Sequence, residues 1–506
     1  MRDFTASEAF DVLVIGAGFG GLGAALALSE KGARVCLCES LRYPGGCAST
    51  FQRGGFRFDA GATLLSGLGP GQLFGSWLER YAPHTQIDWI DPLVELRSAG
   101  FQLHVGRDRT ALVAQFCDLP GAPVVAIRAF FARQQAVAQL LWSVFDDLEL
   151  LPPFGLKNLA RHSARLLHYG TLAPLLGRSL AAVLASFGLS EFLPLRLYID
   201  ALCQITVQCP AAEAEALFAL AAMDYYYRGT AHVRGGVGTL ANALLAAAEQ
   251  AGANVRLPAR VSGLHRQADG SWLATTRRGK VRARAVVANL IPEALEALLS
   301  EEPRHLHGRA ELRARSAAFA DSWGAAMLYV VARAPQHGSD DAHHLQLIAD
   351  AAQPLSEGNH IFLSSSSALE TERAPAGRRA LTISTHLPLA KLRAAGSDAG
   401  QYVASVQRRM RRTLEARAPE WSAGIEHELS ASPRTFARFV GRPGGTVGGL
   451  PRRVGLSSYS GIGPSQVLQG LWLVGDSVFP GQSALATAIG GVRTASDVCR
   501  SLGDLR

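Results

Sequence analysis

The start of the chain alternates apolar runs with a glycine-rich turn. An apolar run over Asp11–Ile15 predicts a short buried strand, and a helical pattern then extends to about Lys31. Gly32 is typical of a helix C-terminus, and the apolar run Arg34–Cys38 predicts a second buried strand. Strand, turn, helix and strand in this order predict a βαβ unit at the beginning of a parallel sheet.

Helical spacing of apolar residues dominates from about residue 76 to residue 225, and strand-like alternation dominates afterwards. Long helices are predicted over Arg128–Leu148 and Asn158–Leu189, and further helices over Thr239–Gln250, Gln401–Arg417 and Ala484–Leu502. The predicted strands of the second half are Asn254–Leu257, Arg260–Leu264, Trp272–Thr276, Ala283–Ala288, Ala326–Val331, Leu345–Ile348, Ile361–Leu363, Leu381–Thr385 and Leu471–Val474. This order predicts an α/β fold whose two domains are interleaved along the chain.

Composition narrows the class of protein. Only 18% of the 506 residues are charged, below the level of about 25% that is usual for soluble domains, and 48% are hydrophobic. Such a chain suits contact with apolar molecules or a bilayer, and the net charge of +8 suits an anionic membrane surface. No basic run is interleaved with aromatic residues, which argues against nucleic acid as a partner.

Cysteine usage and the lack of long apolar runs predict a cytoplasmic protein whose membrane contact is peripheral. The seven cysteines form no CxxC pair, so neither a disulfide framework nor a zinc site is predicted, and Cys36 and Cys38 are interpreted as core residues. Met1–Phe10 lacks the apolar core of a signal peptide. No apolar run approaches the length of about 18 residues that a spanning helix needs.

Gly16, Gly18 and Gly21 form a GxGxxG pattern between the first predicted strand and its helix. In such a turn the first glycine permits the bend, the second lets a pyrophosphate approach the backbone, and the third lets helix and strand pack closely. The helix N-terminus presents free N–H groups to the phosphates. Glu39 ends the second strand, where a carboxylate accepts hydrogen bonds from ribose hydroxyls. These residues predict a dinucleotide site.

Two further segments favour FAD over NAD as the dinucleotide. Tyr43–Thr50 carries a double glycine and leads into Phe56–Thr63. Near the C-terminus, Gly475-Asp476 follows an apolar strand, where an Asp can accept a hydrogen bond from a polyol hydroxyl. The next helix N-terminus can face the anionic edge of a flavin.

At these motifs the chain resembles the phytoene desaturase-like flavoproteins, a branch of the amine-oxidase-like flavoproteins that includes carotenoid desaturases, poly-cis-carotenoid isomerases and retinol saturases. The βαβ unit, the double glycine, Phe58–Thr63, the helix entry at Arg234–Gly236 and the C-terminal Gly475–Gln482 follow the family's order. The last segment looks most like carotenoid isomerases and 3,4-desaturases. Cys47 departs from the family, in which many members carry Arg after the double glycine, and this change weakens one expected phosphate contact.

The resemblance implies a Rossmann-type FAD-binding domain interleaved with an α+β substrate domain and a helical, membrane-facing subdomain. The FAD-binding domain would comprise residues 1–75, 226–300 and 441–506, and the substrate domain residues 76–225 and 301–440, with the helical subdomain at about 128–220. The implied FAD contacts are Gly16, Gly18, Gly21, Glu39, Gly45, Gly46, Val261 (through its backbone), Gly475 and Asp476, with Gly61 and Thr63 near the isoalloxazine ring.

The activity that the resemblance implies is desaturation of a carotenoid, in which a hydride moves to the flavin and a C=C bond forms; a 3′,4′-desaturase is one form. A poly-cis-carotenoid isomerase that uses reduced FAD without net redox change, a saturase, an amine oxidase and a non-catalytic flavin scaffold remain open as candidates. The electron acceptor would be a quinone or oxygen. No catalytic base is identified: Lys157, Asp200 and Glu213 are interpreted as surface or capping residues, and His343-His344 as an exposed loop.

Leucine and aromatic clusters in the helical region have two interpretations. The clusters are Leu140, Leu141, Trp142 and Phe145, and Leu166, Leu167, Leu175 and Leu176, flanked by Arg161, Arg165 and Arg178. Basic amphipathic helices of this kind can lie in a membrane interface. A buried lid over an apolar tunnel gives the same pattern. We favour membrane contact, because a carotenoid must be drawn from lipid.

Overall fold

Two eight-stranded sheets, two small two-stranded sheets and a helical region make up the part of the chain that the computed structural model describes, which is residues 8–151, 156–303, 308–335, 340–460, 462 and 465–503. In chain order the strands are β1 Glu8–Ile15, β2 Val35–Cys38, β3 Thr50–Arg53, β4 Phe56–Asp59, β5 Ile87–Asp88, β6 Val94–Ser98, β7 Phe101–Val105, β8 His232–Val233, β9 Asn254–Arg256, β10 Val261–Arg266, β11 Trp272–Thr276, β12 Gly279–Ala288, β13 Trp323–Arg333, β14 His343–Ile348, β15 His360–Ser365, β16 Arg378–Pro388, β17 Ile425–Ala431, β18 Thr446–Val447, β19 Gln466–Leu468 and β20 Leu471–Leu473. The α-helices are α1 Phe19–Glu30, α2 Leu73–Tyr81, α3 Arg109–Asp118, α4 Val124–Phe145, α5 Leu156–Ser163, α6 Leu166–Gly170, α7 Leu180–Ser186, α8 Leu193–Thr206, α9 Ala216–Ala222, α10 Val237–Gln250, α11 Pro292–Leu298, α12 Arg309–Ala317, α13 Leu389–Ala394, α14 Ala399–Arg417, α15 Pro419–Ser422, α16 Pro433–Val440, α17 Ser457–Ser460 and α18 Ala484–Ser501.

The first sheet is built around β1, which lies parallel between β2 and β12. Its strand order is β10-β11-β12-β1-β2-β9, and β20 pairs in parallel with the end of β12, beyond the part that β11 occupies. All four residues of β2 are buried, because α1 and α10 cover one face of the sheet while α11 and α12 cover the other. The α/β fold is therefore confirmed, and Cys36 and Cys38 are core residues as expected.

The second sheet runs β17-β13-β16-β15-β14-β6-β7, with β18 beside β13. Neighbouring strands are antiparallel except for β14 and β6, which are parallel. Alternate residues of β13 point to opposite faces: Leu328 and Val330 pack in the core beneath α14, whereas Met327 and Tyr329 pack against Phe58.

The helical region differs from the sequence prediction in one respect. α4 matches the predicted helix at Arg128–Leu148, but Asn158–Leu189 is not one helix and contains the short helices α5, α6 and α7. Pro174 lies in a 3₁₀ turn, and Gly177 adopts the left-handed backbone conformation with a φ of +71°, so an α-helix cannot continue through either residue. No helix in the described part of the chain is long and apolar enough to cross a membrane.

The prediction of an exposed loop at His343-His344 is wrong. Both residues begin β14, and His344 is fully buried. Its Nδ1 lies 2.7 Å from the hydroxyl oxygen of Ser364 on the neighbouring strand β15. A polar pair does not fit the apolar pattern of a buried strand, but a serine on the adjacent strand provides a hydrogen-bond partner for one imidazole nitrogen, Nδ1, within the sheet.

Candidate functional site

Four parallel strands of the first sheet, β2, β1, β12 and β20, end at the same edge. Glu39 follows β2, Gly16 follows β1, Asn289 follows β12, and Gly475 comes soon after β20. These four residues line one end of a cavity of about 680 Å³. Open parallel sheets bind their ligands at this edge, so the cavity lies where such a fold places a cofactor.

The turn from β1 into α1 is shaped for close approach of an anion. Gly18 is the N-cap of α1, and this helix, which is described throughout, has no acidic residue in its first turn. Gly16 has a φ of +94°, which favours glycine, and a Cβ on Gly21 would lie 1.9 Å from the Gly16 carbonyl oxygen. Gly21 does not line the cavity; it allows α1 to pack on the turn that does.

Asn289, which the sequence analysis missed, packs its carboxamide against glycines from two distant segments. A Cβ on Gly18 would lie 2.6 Å from Asn289 Nδ2, and Cβ atoms on Gly20 and Gly475 would lie 2.8 and 3.0 Å from Oδ1. Its position directly after a buried parallel strand is the same signal that singled out Glu39. Asn289 therefore helps to set the distance between the βα turn and the C-terminal segment.

Glu39 is nearly buried, with 7% of its surface exposed, and its carboxylate holds the βα turn together. Oε2 accepts a hydrogen bond from the Ala17 backbone N–H at 2.7 Å. Oε1 accepts hydrogen bonds from the Leu41 N–H at 2.7 Å and the Ser40 hydroxyl at 2.9 Å. A carboxylate offers about four acceptor positions, so one remains for a ribose hydroxyl.

Gly45 and Gly46 lie across the cavity edge from α1, both with positive φ, and the Gly45 N–H donates to the Ala17 carbonyl at 2.8 Å. The following residue, Cys47, has its Sγ 4.0 Å from Nη1 of Arg442. Burial raises the pKa of the Cys47 thiol. Arg442, which has no predicted role, thus brings a guanidinium to the position where Cys47 departs from the family.

Arg442 also pairs with the predicted contact residue Asp476, with 2.8 Å between Nη2 and Oδ2. Both side chains are largely buried, and both line the cavity. The preceding Gly475 has a φ of +113°. The sequence does not indicate this pair. Arg442 follows α16, a helix that packs against the second sheet, and it reaches the cavity only in the folded protein.

The remaining predicted contact residues lie in different surroundings. Gly61 and Thr63 line the cavity, and Thr63 Oγ1 accepts a hydrogen bond from the Ser364 hydroxyl at 2.6 Å. Val261 begins β10 with its side chain buried, and it does not line the cavity.

Much of the cavity wall outside the glycine turns is apolar and aromatic, and we call this part the chamber. Trp142 and Phe145 of α4 form part of its wall, and the Phe145 ring lies 5.7 Å from that of Phe479, which follows the Gly475 turn. Trp142 donates its Nε1–H to the Ala221 carbonyl at 3.0 Å, which fixes the ring in the wall. Leu141 and Tyr225 extend the same surface.

Arg452 is a buried cation in the wall of the cavity. Its guanidinium lies 5.1 Å from the centre of the Phe218 ring and donates to the Ser458 carbonyl at 3.1 Å. Burial lowers the pKa of Arg452 to about 10. The face of the Phe218 ring and the backbone carbonyls of Ser458 and Pro480 stabilise the cation against this effect.

The acids considered from the sequence lie away from the cavity. Asp200 accepts a hydrogen bond from the Ala211 N–H at 2.8 Å, and Glu213 is an exposed partner of Arg453. Lys157 lies in α5, and its side chain is outside the described part of the structure. Among the residues whose positions are described, no cluster of His, Cys, Asp and Glu could hold a metal ion.

The fold and the cavity define a protein with a dinucleotide-binding domain of the Rossmann type. Residues 14–81 match the family model of the NAD(P)-binding Rossmann-like domain. The solved structure of wild-type putrescine oxidase superposes with a TM-score of 0.61 at 14% identity, covering 98% of this chain and 100% of that one. This similarity shows a shared fold.

Sequence comparison finds relatives of higher identity than this structure. Prolycopene isomerase of Arabidopsis thaliana is 26% identical over 98% of this chain and 83% of that protein. Phytoene dehydrogenase of Streptomyces griseus is 32% identical over 54% of this chain and 53% of that protein. The resemblance to the phytoene desaturase-like flavoproteins is therefore confirmed, and the chain is an enzyme of the flavin oxidoreductase type.

Proposed function

We propose that the protein is an FAD-dependent oxidoreductase that introduces a C=C bond into a carotenoid. The observation that carries this proposal is one cavity that joins a dinucleotide cradle to an apolar chamber. A substrate in the chamber would meet the cofactor in a space from which the surrounding side chains exclude water.

The residues of the cradle fit FAD. The glycine turn and the N-terminus of α1 suit the pyrophosphate, and the free acceptor position of Glu39 suits a ribose hydroxyl. Of the other proposed contacts, Gly45, Gly46, Gly475 and Asp476 line the same cavity. When bound, FAD supplies an isoalloxazine ring that accepts a hydride.

The chamber suits a polyene because a polyene has no hydrogen-bonding groups along its length. Burial of such a chain contributes roughly 25 cal/mol for each Å² of apolar surface removed from water. Trp142, Phe145 and Phe479 offer large apolar surfaces for this contact. The chain's own residues would hold the polyene beside the flavin and exclude water, and a quinone or oxygen would take up the electrons.

Isomerisation of a poly-cis-carotenoid is the second candidate activity. The similarity to prolycopene isomerase extends over 98% of this chain, and this observation favours isomerisation over a saturase, an amine oxidase or a flavin scaffold. The same cavity would hold the polyene beside reduced FAD, and the substrate would leave with its original mass.

We also propose that the protein contacts a membrane surface through α5 and α6. Leu159, Leu166 and Leu167 of these helices are 53%, 62% and 92% exposed. His162 and Tyr169, which lie on the same two helices, line the cavity. An apolar outer surface thus lies directly over the cavity wall, where a substrate from lipid would enter.

We therefore assign the two interpretations of the leucine clusters, a lid over the cavity and a membrane contact, to different helices. Leu141 and Trp142 of α4 line the cavity, so this cluster behaves as a lid over the chamber. Leu166 and Leu167 are exposed and form the proposed membrane contact. Arg161 pairs with Asp147 and Glu149 and adds little net charge to this surface.

Pigment analysis of carotenoid-producing bacteria that express the chain tests the activity. A product that has lost two hydrogens per new bond and absorbs at longer wavelength supports desaturation. A product of unchanged mass with altered geometry indicates an isomerase, and a gain of two hydrogens indicates a saturase. Unchanged pigments from cells whose purified protein carries FAD would contradict a carotenoid activity.

A further inference from the structure

A chain of buried polar side chains leads away from the cavity at Thr63. The Ser364 hydroxyl lies 2.6 Å from Thr63 Oγ1, and His344 Nδ1 lies 2.7 Å from the same Ser364 hydroxyl oxygen. Thr63 lines the cavity, whereas Ser364 is 5% exposed and His344 is fully buried. These three groups connect the cavity to the interior of the second sheet.

This row of buried polar side chains continues beyond His344 toward a buried ion cluster. The His232 ring centre lies 5.8 Å from that of His344, and His232 Nε2 lies 3.0 Å from Glu370 Oε2. Arg373 lies 3.6 Å from Glu370 and 2.9 Å from Asp59. Charges buried this deeply are unfavourable unless they are paired, and this cluster pairs each of them.

Two imidazole nitrogens between the cavity and the ion cluster have no partner among the described residues. They are His344 Nε2 and His232 Nδ1. A buried polar atom without a hydrogen bond is unfavourable, and the two rings are neighbours. One water molecule between the rings would satisfy both nitrogens and complete a path from Thr63 to Glu370.

The charge states of the path are set by its surroundings. Burial lowers the pKa of His344 well below 6.5, and the nearby His232, His343 and Arg373 lower it further, against the opposing effect of Glu370. His344 is therefore neutral at pH 7, with one nitrogen that donates and one that accepts. Burial raises the pKa of Glu370, but the hydrogen bond from His232 and nearby positive charge outweigh it and hold this pKa at about 2.

We propose that Thr63, Ser364 and His344 form a proton relay for the reaction in the cavity, with Thr63 as the group that exchanges a proton with the substrate. The inference rests on the proposed function. After a hydride has left one substrate carbon for FAD, the adjacent carbon gives a proton to Thr63 Oγ1, and its C–H electron pair becomes the new π bond. The Thr63 proton passes to Ser364, and the Ser364 proton passes to His344 Nδ1.

The relay is reset through the opposite side of the imidazole. The His344 imidazolium releases its Nε2 proton toward the bridging water and His232, beside the ionised Glu370. A polyene cation is a strong carbon acid, so even the weakly basic His344 is sufficient as the acceptor. In the structure the Ser364 hydroxyl donates to Thr63, so transfer from Thr63 to His344 requires both hydroxyl hydrogens to rotate first; in the orientation found, the same path delivers a proton to the cavity.

Ser364→Ala breaks the path, and Ser365→Ala is its matched control. Ser365 is the next residue of β15, is 2% exposed, and uses its hydroxyl to accept a hydrogen bond from the His343 backbone N–H. General acid–base groups contribute about 10²–10⁴-fold to rate, so we expect Ser364→Ala to lower kcat at least ~10²-fold with little change in KM. Thr63→Val should lower kcat in the same way. Ser364→Thr keeps a hydroxyl and should have a kcat near that of the wild type, and Ser365→Ala should have the wild-type kcat. Retention of the bound-flavin absorption shows that each variant is folded.

Imidazole ¹⁵N NMR of the flavin-loaded protein provides a measurement that needs no turnover. His344→Gln identifies the signal, which should shift in Ser364→Ala and Thr63→Val and stay in place in Ser365→Ala. If Ser364→Ala keeps the wild-type kcat and solvent isotope effect, the relay is refuted. If the wild type transforms no carotenoid, the proposed function fails, and the NMR comparison alone decides whether His344 is coupled to Thr63; unshifted signals then refute the relay as well.

Discussion

Replacement of Glu39 by Ala will lower both the stability of the protein and its affinity for FAD. The carboxylate is 7% exposed and accepts hydrogen bonds from the Ala17 and Leu41 backbone N–H groups, each at 2.7 Å. A hydrogen bond to a charged group contributes about 1.5–3 kcal/mol, and a buried donor left without a partner costs a similar amount. Ala17 is fully buried whereas Leu41 is only partly so. We therefore expect the free energy of unfolding to fall by about 2–4 kcal/mol.

Urea unfolding of the cofactor-free protein, followed by circular dichroism, measures the first effect, and titration with FAD measures the second. We expect FAD affinity to fall about ten- to a hundredfold, because the charge-assisted hydrogen bond proposed between Glu39 and the ribose would be lost. Glu30→Ala is the control: Glu30 pairs with Arg80 at the surface, and its loss should cost less than about 1 kcal/mol. The reasoning is refuted if Glu39→Ala unfolds like the Glu30 variant and binds FAD like the wild type.

Three further results are expected. Gly18→Val should purify without flavin absorption, because its Cβ would lie 2.6 Å from the amide nitrogen of Asn289 and block the pyrophosphate; a folded yellow variant would contradict this. Leu167→Glu should reduce flotation with anionic liposomes. Leu369→Glu is the control, because Leu369 is also exposed but lies between β15 and β16 of the second sheet, and it should not reduce flotation. An equal loss in both variants would argue against a specific membrane surface. Burial raises the pKa of Glu95, but hydrogen bonds from neighbouring His and Arg side chains hold it at about 2, so stability that is present above pH 4.5 should be lost as the pH falls toward 2; unfolding measured across this range should show a smaller loss in Glu95→Gln.

Most strands of both sheets could be predicted from local sequence, whereas the contacts that complete the site across distant segments could not. β1 and β2 are continuous apolar runs because parallel strands are covered on both faces. The glycine turn directly follows β1 and Glu39 directly follows β2, so both could be recognised from their positions. The prediction of a loop at His343 and His344 is wrong because Ser364 on the neighbouring strand provides a partner for His344, which periodicity does not reveal. Arg442 is distant in sequence from Cys47, so only the folded chain shows that it takes a place in the site.

The interleaved order of strands also determines when this protein can first hold its cofactor. During synthesis β1 and α1 emerge first, but the parallel neighbour β12 ends at Ala288, and β20 and α18 come from the last part of the chain. Until these later segments have been made, the first sheet has unpaired strand edges, and such edges are prone to aggregation. If the Gly475 turn completes the cradle as proposed, the cofactor can bind fully only after the Gly475 segment has been made. Flavin loading would then mark the polypeptides in which β1 and β20 have come together in one sheet.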